Sequence, residues 1–196
     1  MASADDAHNH EKTWLWDYFQ WTKIFDNKQI KEINETIESF YSEKENPKDG
    51  TDWKNVSNVK KIYYGRIRHL IQHFVEDAYN VAEFDFGYNV FNHRDLRQCN
   101  FNIYDSKDKS DYGWHTDHCF LPAVDCKLTL LINLSEAPYE GGEFQLLNTN
   151  KEQTIELFGQ PGSAFMFKSH ILHRVLPLKS GVRKSLALFI HGPRFQ

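Results

Sequence analysis

The stretch Ser169–Ile190, SHILHRVLPLKSGVRKSLALFI, reads as two short strands joined by a turn. Strand side chains alternate between faces, so HRVLPL sets His173, Val175 and Pro177 on one side. RKSLALFI sets Arg183, Ser185, Ala187 and Phe189 on one side and Lys184, Leu186, Leu188 and Ile190 on the other. The connecting LPLKSG is short, so the expected arrangement is a hairpin with His173 beside Arg183. An imidazole followed ten residues on by a guanidinium is a candidate site, and the rest of the chain has to supply its partners.

Working outward, the second half of the chain is a run of short aromatic and aliphatic segments. From Ala82 these are EFDFGYNVF, CNFNIYD, KLTLLINLS, GEFQLL, TIELF and SAFMFKS, punctuated by APYEGG, NTNKEQ and GQPG. The first half is helical. Asp26 is an N-cap candidate, with Ile30, Ile33, Ile37 and Phe40 at helical spacing, and ENPKDG ends that pattern. A second helix is predicted from about Arg66 to Tyr79, with Ile67, Leu70, Ile71, Phe74, Val75 and Ala78 on one stripe. Two helices followed by about eight strands make an α+β fold, its strands closing as a sandwich or small barrel, best a jelly roll. Residues 1–12 read as a disordered lead-in and residues 13–196 as one domain.

Composition narrows the function classes. A net charge of -4 suggests neither a nucleic-acid-binding nor a membrane-surface face. No apolar run approaches the roughly 18 residues that span a bilayer. Cys99, Cys119 and Cys126 form an odd, sparse set without a CxxC, which suits a reducing compartment; the expectation is a cytoplasmic protein. HExxH, GxSxG and Walker motifs are absent, and DSKDKSDYG fails as a calcium loop because lysines and Ser110 replace required positions.

The partner for His173 lies in DYGWHTDHCF, Asp111–Phe120. His115 and Asp117 are two apart, so on an extended strand an imidazole and a carboxylate converge. An HxD alone arises often by chance. With His173 it makes two histidines and one carboxylate, the set that leaves coordination positions open in non-haem Fe(II) oxygenases. Such iron needs an electron-donating cosubstrate. A 2-oxo dicarboxylate would occupy open positions and need a cation at its far carboxylate, a role for Arg183 with Ser185 one pleat along. His118 has the wrong strand parity, Cys119 suits zinc or a small core position, and His170 lacks an arginine ten residues on.

Taken together, YDSKDKSDYGWHTD, LTLLINLSEAPYEGGEFQLL, GSAFMFKSHILHRVLPL and GVRKSLALFI resemble the Fe(II)/2-oxoglutarate-dependent dioxygenase superfamily, in its prolyl 4-hydroxylase-like branch. The resemblance implies a double-stranded β-helix core, about residues 86–191, with N-terminal supporting helices. By position it implies Fe(II) on His115, Asp117 and His173, and 2-oxoglutarate on Arg183. Tyr104 matches a tyrosine whose hydroxyl bonds the cosubstrate, and Tyr112 and Trp114 match positions that shape the substrate mouth. Gly141 and Gly142 match a structural glycine turn. Asn133 stands where some relatives place a second cosubstrate-binding tyrosine, and Arg183 where collagen-type members carry lysine. The implied reaction consumes O2 and 2-oxoglutarate, with ascorbate as accessory reductant, and hydroxylates a prolyl residue of a protein or peptide. Two alternatives stand beside it: hydroxylation of a small molecule such as a free amino acid, and a non-catalytic or zinc-binding β-barrel.

Overall fold

Residues 17–40, 58–118, 123–148 and 150–194 are described by the structure, a computed structural model. In chain order they form β1 (Tyr18–Trp21), α1 (Asn27–Ser39), β2 (Asn58–Tyr63), α2 (Tyr64–Phe84), β3 (Gln98–Asp105), β4 (Tyr112–His115) and β5 (Val124–Asn133). Then come β6 (Glu140–Gly141), β7 (Phe144–Asn148), β8 (Lys151–Thr154), β9 (Ala164–Lys168), β10 (His173–Val175), β11 (Leu178–Ser180) and β12 (Val182–Pro193).

The strand alternation expected of RKSLALFI is what layers the molecule. Leu186, Leu188 and Ile190 of β12 join Leu128, Leu130 and Ile132 of β5 in one buried cluster with Ile30, Ile33 and Ile37 of α1 and Ile67, Ile71 and Phe74 of α2. Each such side chain taken fully out of water contributes about 1.5–3 kcal/mol. Ala187 and Leu131 from the same strands, with Phe165 and Phe167 of β9, point the other way and meet Phe144, Leu146 and Val175. Among the described residues, a six-stranded antiparallel sheet, β1-β9-β5-β12-β3-β2, therefore faces a four-stranded one, β4-β10-β7-β8. This is the expected double-stranded β-helix with supporting helices. β5 is apolar along most of its length because its two faces are covered, one by helices and one by the second sheet.

α1 begins where the sequence placed it. Gln29 N donates to Asp26 Oδ1 at 2.8 Å and Asp26 N donates to Gln29 Oε1 at 3.0 Å, a complete capping box. The lead-in 1–12, the breaker ENPKDG and Cys119 lie outside the described residues. α2 runs from Tyr64 to Phe84, longer than the predicted Arg66–Tyr79 at each end. Among the described residues no helix is long and apolar enough to cross a membrane.

Four sequence expectations are corrected. EFDFGYNVF is not a strand. Phe86 N and Tyr88 N donate to Val81 O and Ala82 O at the end of α2, and Gly87 takes a positive φ of 68°, so this backbone is unavailable to a ladder. TIELF is not a strand either. Glu156–Gly159 is a 3-10 turn that buries Ile155 and Phe158, three apart, on the same side. β1 and β2 extend the large sheet beyond residues 86–191 at its two edges. Lastly, the hairpin between HRVLPL and RKSLALFI does not form: β10 belongs to the four-stranded sheet and β12 to the six-stranded one. Pro177 offers no N–H to a hairpin ladder, Leu178 pairs with Gly141, and Gly181 at φ 81° turns the chain across the sandwich.

Candidate functional site

That crossing puts His173 and Arg183 on opposite walls of one interior cavity of about 130 Å³. On the four-stranded side, His173 of β10 is in register with His115 of β4. The ladder shifts between His173 and Val175, which lets Tyr112 and His115, three apart, both line the cavity. Asp117 lies beyond the end of β4, not on a regular strand as the HxD reading assumed. Its N–H donates to Ser169 O at 2.9 Å, and this loop anchor brings its carboxylate to the histidines.

The three side chains form the metal-binding constellation found among the described residues, with one donor atom from each lying within 4.8 Å of the others. His173 Nε2 is 3.5 Å from Asp117 Oδ2, and His115 Nε2 is 3.9 Å from Asp117 Oδ1. Each imidazole is oriented by the carbonyl two residues before it. His115 Nδ1 donates to Gly113 O at 2.8 Å and His173 Nδ1 to Ile171 O at 2.9 Å. A carbonyl only accepts, so Nδ1 carries the proton and Nε2 keeps its lone pair for a metal. Burial pushes both histidines down to about 4, and for His115 the neighbouring His173 adds to it. They are therefore neutral ligands at pH 7. Burial raises the Asp117 carboxyl, opposed by the Thr129 hydrogen bond and the His115 charge. Phe144 stacks on His173 at 5.5 Å and Phe167 meets it edge-on at 4.6 Å, walling the centre with hydrocarbon.

Across the cavity, Arg183 is 1% exposed, and its Nε and Nη1 have no hydrogen-bond partner. The guanidinium lies 5.0 Å from the Tyr104 ring and 5.2 Å from the Phe158 ring. Gly142, at φ 66°, makes room for it, since a Cβ there would stand 3.3 Å from Arg183 Cδ and 2.8 Å from a Leu178 methyl. A buried cation with open donors fits a carboxylate entering from the cavity. Tyr104 and Ser185 line the same space, Tyr104 in register with Arg183.

Two expected residues fall elsewhere. Asn133 is fully committed: Nδ2 donates to Phe158 O at 2.7 Å and to Tyr139 Oη at 3.2 Å, and Oδ1 accepts from Ser135 N at 3.0 Å. It is not among the lining residues. Trp114 sits on the outer face of β4, where the Arg174 guanidinium lies 4.4 Å over its ring; it does not line the cavity either. His118 is turned aside, its Nδ1 3.0 Å from Thr116 Oγ1. Conversely, Asn100 and Asn102 line the cavity and were missed. Their alternation with Cys99, Phe101 and Ile103 in CNFNIYD was the available signal. A second depression of about 750 Å³, lined by Tyr139, Glu140, Ile155 and Phe158 among others, shares Phe144 with this cavity and contains none of the metal constellation.

Residues 99–191 match the family model of the 2OG-Fe(II) oxygenase superfamily. A PKHD-type hydroxylase of Synechococcus sp. (strain CC9902) is 40% identical over 75 residues, 37% of this chain and 32% of that protein. The chain thus spans about a third of the length of that curated relative. A Pseudomonas putida prolyl-4-hydroxylase superposes with a TM-score of 0.68 at 18% identity, covering 96% of each chain. A Trichoplax adhaerens prolyl hydroxylase, solved with a hypoxia inducible factor peptide fragment, gives 0.64 at 15% identity, covering 89% of this chain and 83% of that one.

Proposed function

We propose that this chain is a 2OG-Fe(II) oxygenase of the prolyl 4-hydroxylase-like kind that hydroxylates prolyl residues of a protein or peptide, a reading supported by the family model over residues 99–191 and by the PKHD-type relative. The observation that carries the reading is Arg183, a buried guanidinium with open donors facing the same cavity as His115, Asp117 and His173. A structural zinc site or a zinc hydrolase has no use for that cation.

Fe(II) supplies activation of O2, with 2-oxoglutarate as electron donor, giving succinate and carbon dioxide. His115, Asp117 and His173 hold the metal, and their set leaves positions open. Arg183 binds the distal carboxylate of 2-oxoglutarate, with Tyr104 and Ser185 as hydroxyl partners beside it. Phe144 and Phe167 pack against the His173 ring and would exclude water from that side of the imidazole. Asn133 buttresses the Phe158 backbone and Tyr139, a structural role in place of a cosubstrate contact.

The lining favours a peptide over a free amino acid. Apart from the metal ligands, Arg183 is the charged side chain of the described lining; Val59, Asn100, Asn102, Tyr112 and Phe189 are neutral. A free amino acid brings an ammonium and a carboxylate that need counter-charges, whereas a prolyl residue in a chain brings neutral amides. Residues 13–196 acting as one dioxygenase domain in the cytoplasm is part of the same proposal, supported by the buried, unpaired Cys99 thiol. The test is a panel of proline-containing peptides and free amino acids with Fe(II), ascorbate and 2-oxoglutarate. Expected are Fe(II)-dependent succinate and a peptide heavier by one oxygen atom, both abolished in His173→Ala. Hydroxylation of free amino acids alone would overturn the peptide assignment.

A further inference from the structure

Behind Asp117 runs a line of donors that the metal centre does not itself account for. Thr129 Oγ1 donates to Asp117 Oδ2 at 2.7 Å. Thr129 Oγ1 and Ser169 Oγ are 2.9 Å apart, and Ser169 Oγ and Cys126 Sγ 3.1 Å. Each hydroxyl or thiol has a single proton. An ionised carboxylate only accepts, so the Thr129 proton is committed to Asp117. Ser169 must then donate to Thr129. The direction of the Ser169–Thr129–Asp117 segment is thereby set, with its protons pointing toward the carboxylate.

The chain is also stiff. Thr129 and Ser169 are 2% and 0% exposed. The Ser169 backbone is clamped on both sides: its N–H donates to Lys127 O at 3.1 Å, and its carbonyl accepts the Asp117 N–H at 2.9 Å. Ser169 thus holds Asp117 twice, once through the backbone and once through the Thr129 hydroxyl. Threonine suits this place, because its β-branch fits a strand flanked by Phe167 and Phe189 while its hydroxyl reaches the carboxylate.

We infer that Thr129, backed by Ser169, is a positioning residue that sets the orientation of the Asp117 carboxylate for the metal. The inference rests on His115, Asp117 and His173 being the metal centre, and adds to it the groups that tune one ligand. Thr129 acts through Asp117 and is not a catalytic residue.

Anaerobic titration of the metal-free chain with Co(II), followed by its visible absorption, tests this without substrate or turnover. Thr129→Val keeps the shape and removes the donor; it weakens Co(II) binding roughly 10- to 100-fold and shifts the absorption band. Thr129→Ser restores the hydroxyl and with it both affinity and band. Ser169→Ala gives a smaller loss in the same direction. If Thr129→Val does not fold, Thr129→Ser against Ser169→Ala decides: wild-type binding in the first and weakened binding in the second is the expected pair. Wild-type Co(II) affinity in Thr129→Val, in Ser169→Ala when that pair decides, or equal weakness in Thr129→Val and Thr129→Ser, overturns the inference. Failure of the wild-type chain to bind Co(II) overturns the metal centre itself, a separate and earlier failure.

Discussion

The two faces of the six-stranded sheet are built from the same strands and serve opposite ends. Toward the helices, β5 and β12 present Leu128, Leu130, Ile132, Leu186, Leu188 and Ile190, all wholly buried and all hydrocarbon. On the opposite face the same strands carry Thr129, Asn133, Arg183 and Ser185, equally buried but polar, and all but Asn133 line the cavity. A buried polar group costs free energy unless it is bonded. Thr129 and Asn133 are bonded, to Asp117 and to Phe158 O respectively, whereas two Arg183 nitrogens are not. One face is therefore complete in the protein alone, and the other is complete only with what enters it. Residues that optimise stability and residues that bind are one pleat apart, and the difference should be separable by substitution.

The largest effect is expected on the helix face. Leu188→Ala removes a wholly buried side chain and should lower unfolding free energy by about 2–5 kcal/mol. Metal and 2-oxoglutarate affinities of the molecules that remain folded should not move. Denaturant unfolding alongside ligand titration checks both halves. A large loss of 2-oxoglutarate affinity would show the faces coupled.

Arg183→Met should do the converse. The replacement fills similar volume without a charge, so stability should hold or rise, because the wild-type cation has unmet donors. Binding of 2-oxoglutarate to the Fe(II)-loaded protein should weaken by roughly 1.5–3 kcal/mol, the value of a hydrogen bond to a charged group. Calorimetric titration gives the second quantity and thermal unfolding the first. A destabilised Arg183→Met with unchanged 2-oxoglutarate affinity would make Arg183 a structural residue and break the contrast.

The metal-free cavity should also betray itself through pH. His115 and His173 are held down to about 4 against an ordinary value of 6.5. Between those limits the unfolded chain binds protons that the folded one refuses, so stability falls as pH drops from 6.5 toward 4. Each histidine contributes up to about 1.4 kcal/mol per pH unit. Asp117, raised by burial, acts in the opposite sense and lessens the slope. Bound metal needs the neutral imidazoles, which the folded protein keeps down to about 4, so proton-driven release from the folded state should begin only as pH approaches that value. Unfolding midpoints at a series of pH values, with and without Mn(II), measure it. A pH-independent stability across that window would remove the buried histidines from the account.

How much of this was legible beforehand follows from which interactions are local. The cap at Asp26 and the alternation of β12 follow from spacing, and the identities of His115, Asp117, His173 and Arg183 were legible. These four side chains reach one cavity, however, by routes that spacing does not reveal, a loop anchor for Asp117 and a crossing of the sandwich for Arg183. What escaped depends on contacts across the fold. Whether two strands joined by LPLKSG pair or cross the sandwich is decided by Pro177, Gly181 and the partner strand at Gly141, none of which alternation reveals. Trp114 was expected beside Tyr112 at the substrate mouth, yet the register shift at His173 and Val175 gives the cavity to Tyr112 and His115, and Trp114 packs under Arg174. Asn133 was expected at the cosubstrate, yet its amide is consumed by Phe158 and Ser135 before the cavity begins.

The smallest effect probes how far the helix layer matters to the site at all. Asp26→Ala removes both halves of the capping box of α1, since Gln29 loses its acceptor and the reciprocal bond loses its geometry. N-cap losses of this kind cost about 1 kcal/mol. The helix buries Ile30, Ile33 and Ile37 in the cluster that also holds Leu128, Leu130 and Leu188. Fraying its first turn therefore loosens that cluster at one edge and leaves the cavity face untouched. Thermal unfolding should drop by a few degrees. Succinate formation and Co(II) affinity at a temperature well below the midpoint should equal those of the wild type. If they fall in step with stability instead, the helix layer is holding the metal-bearing strands in place, and the two faces of the sheet are one cooperative element.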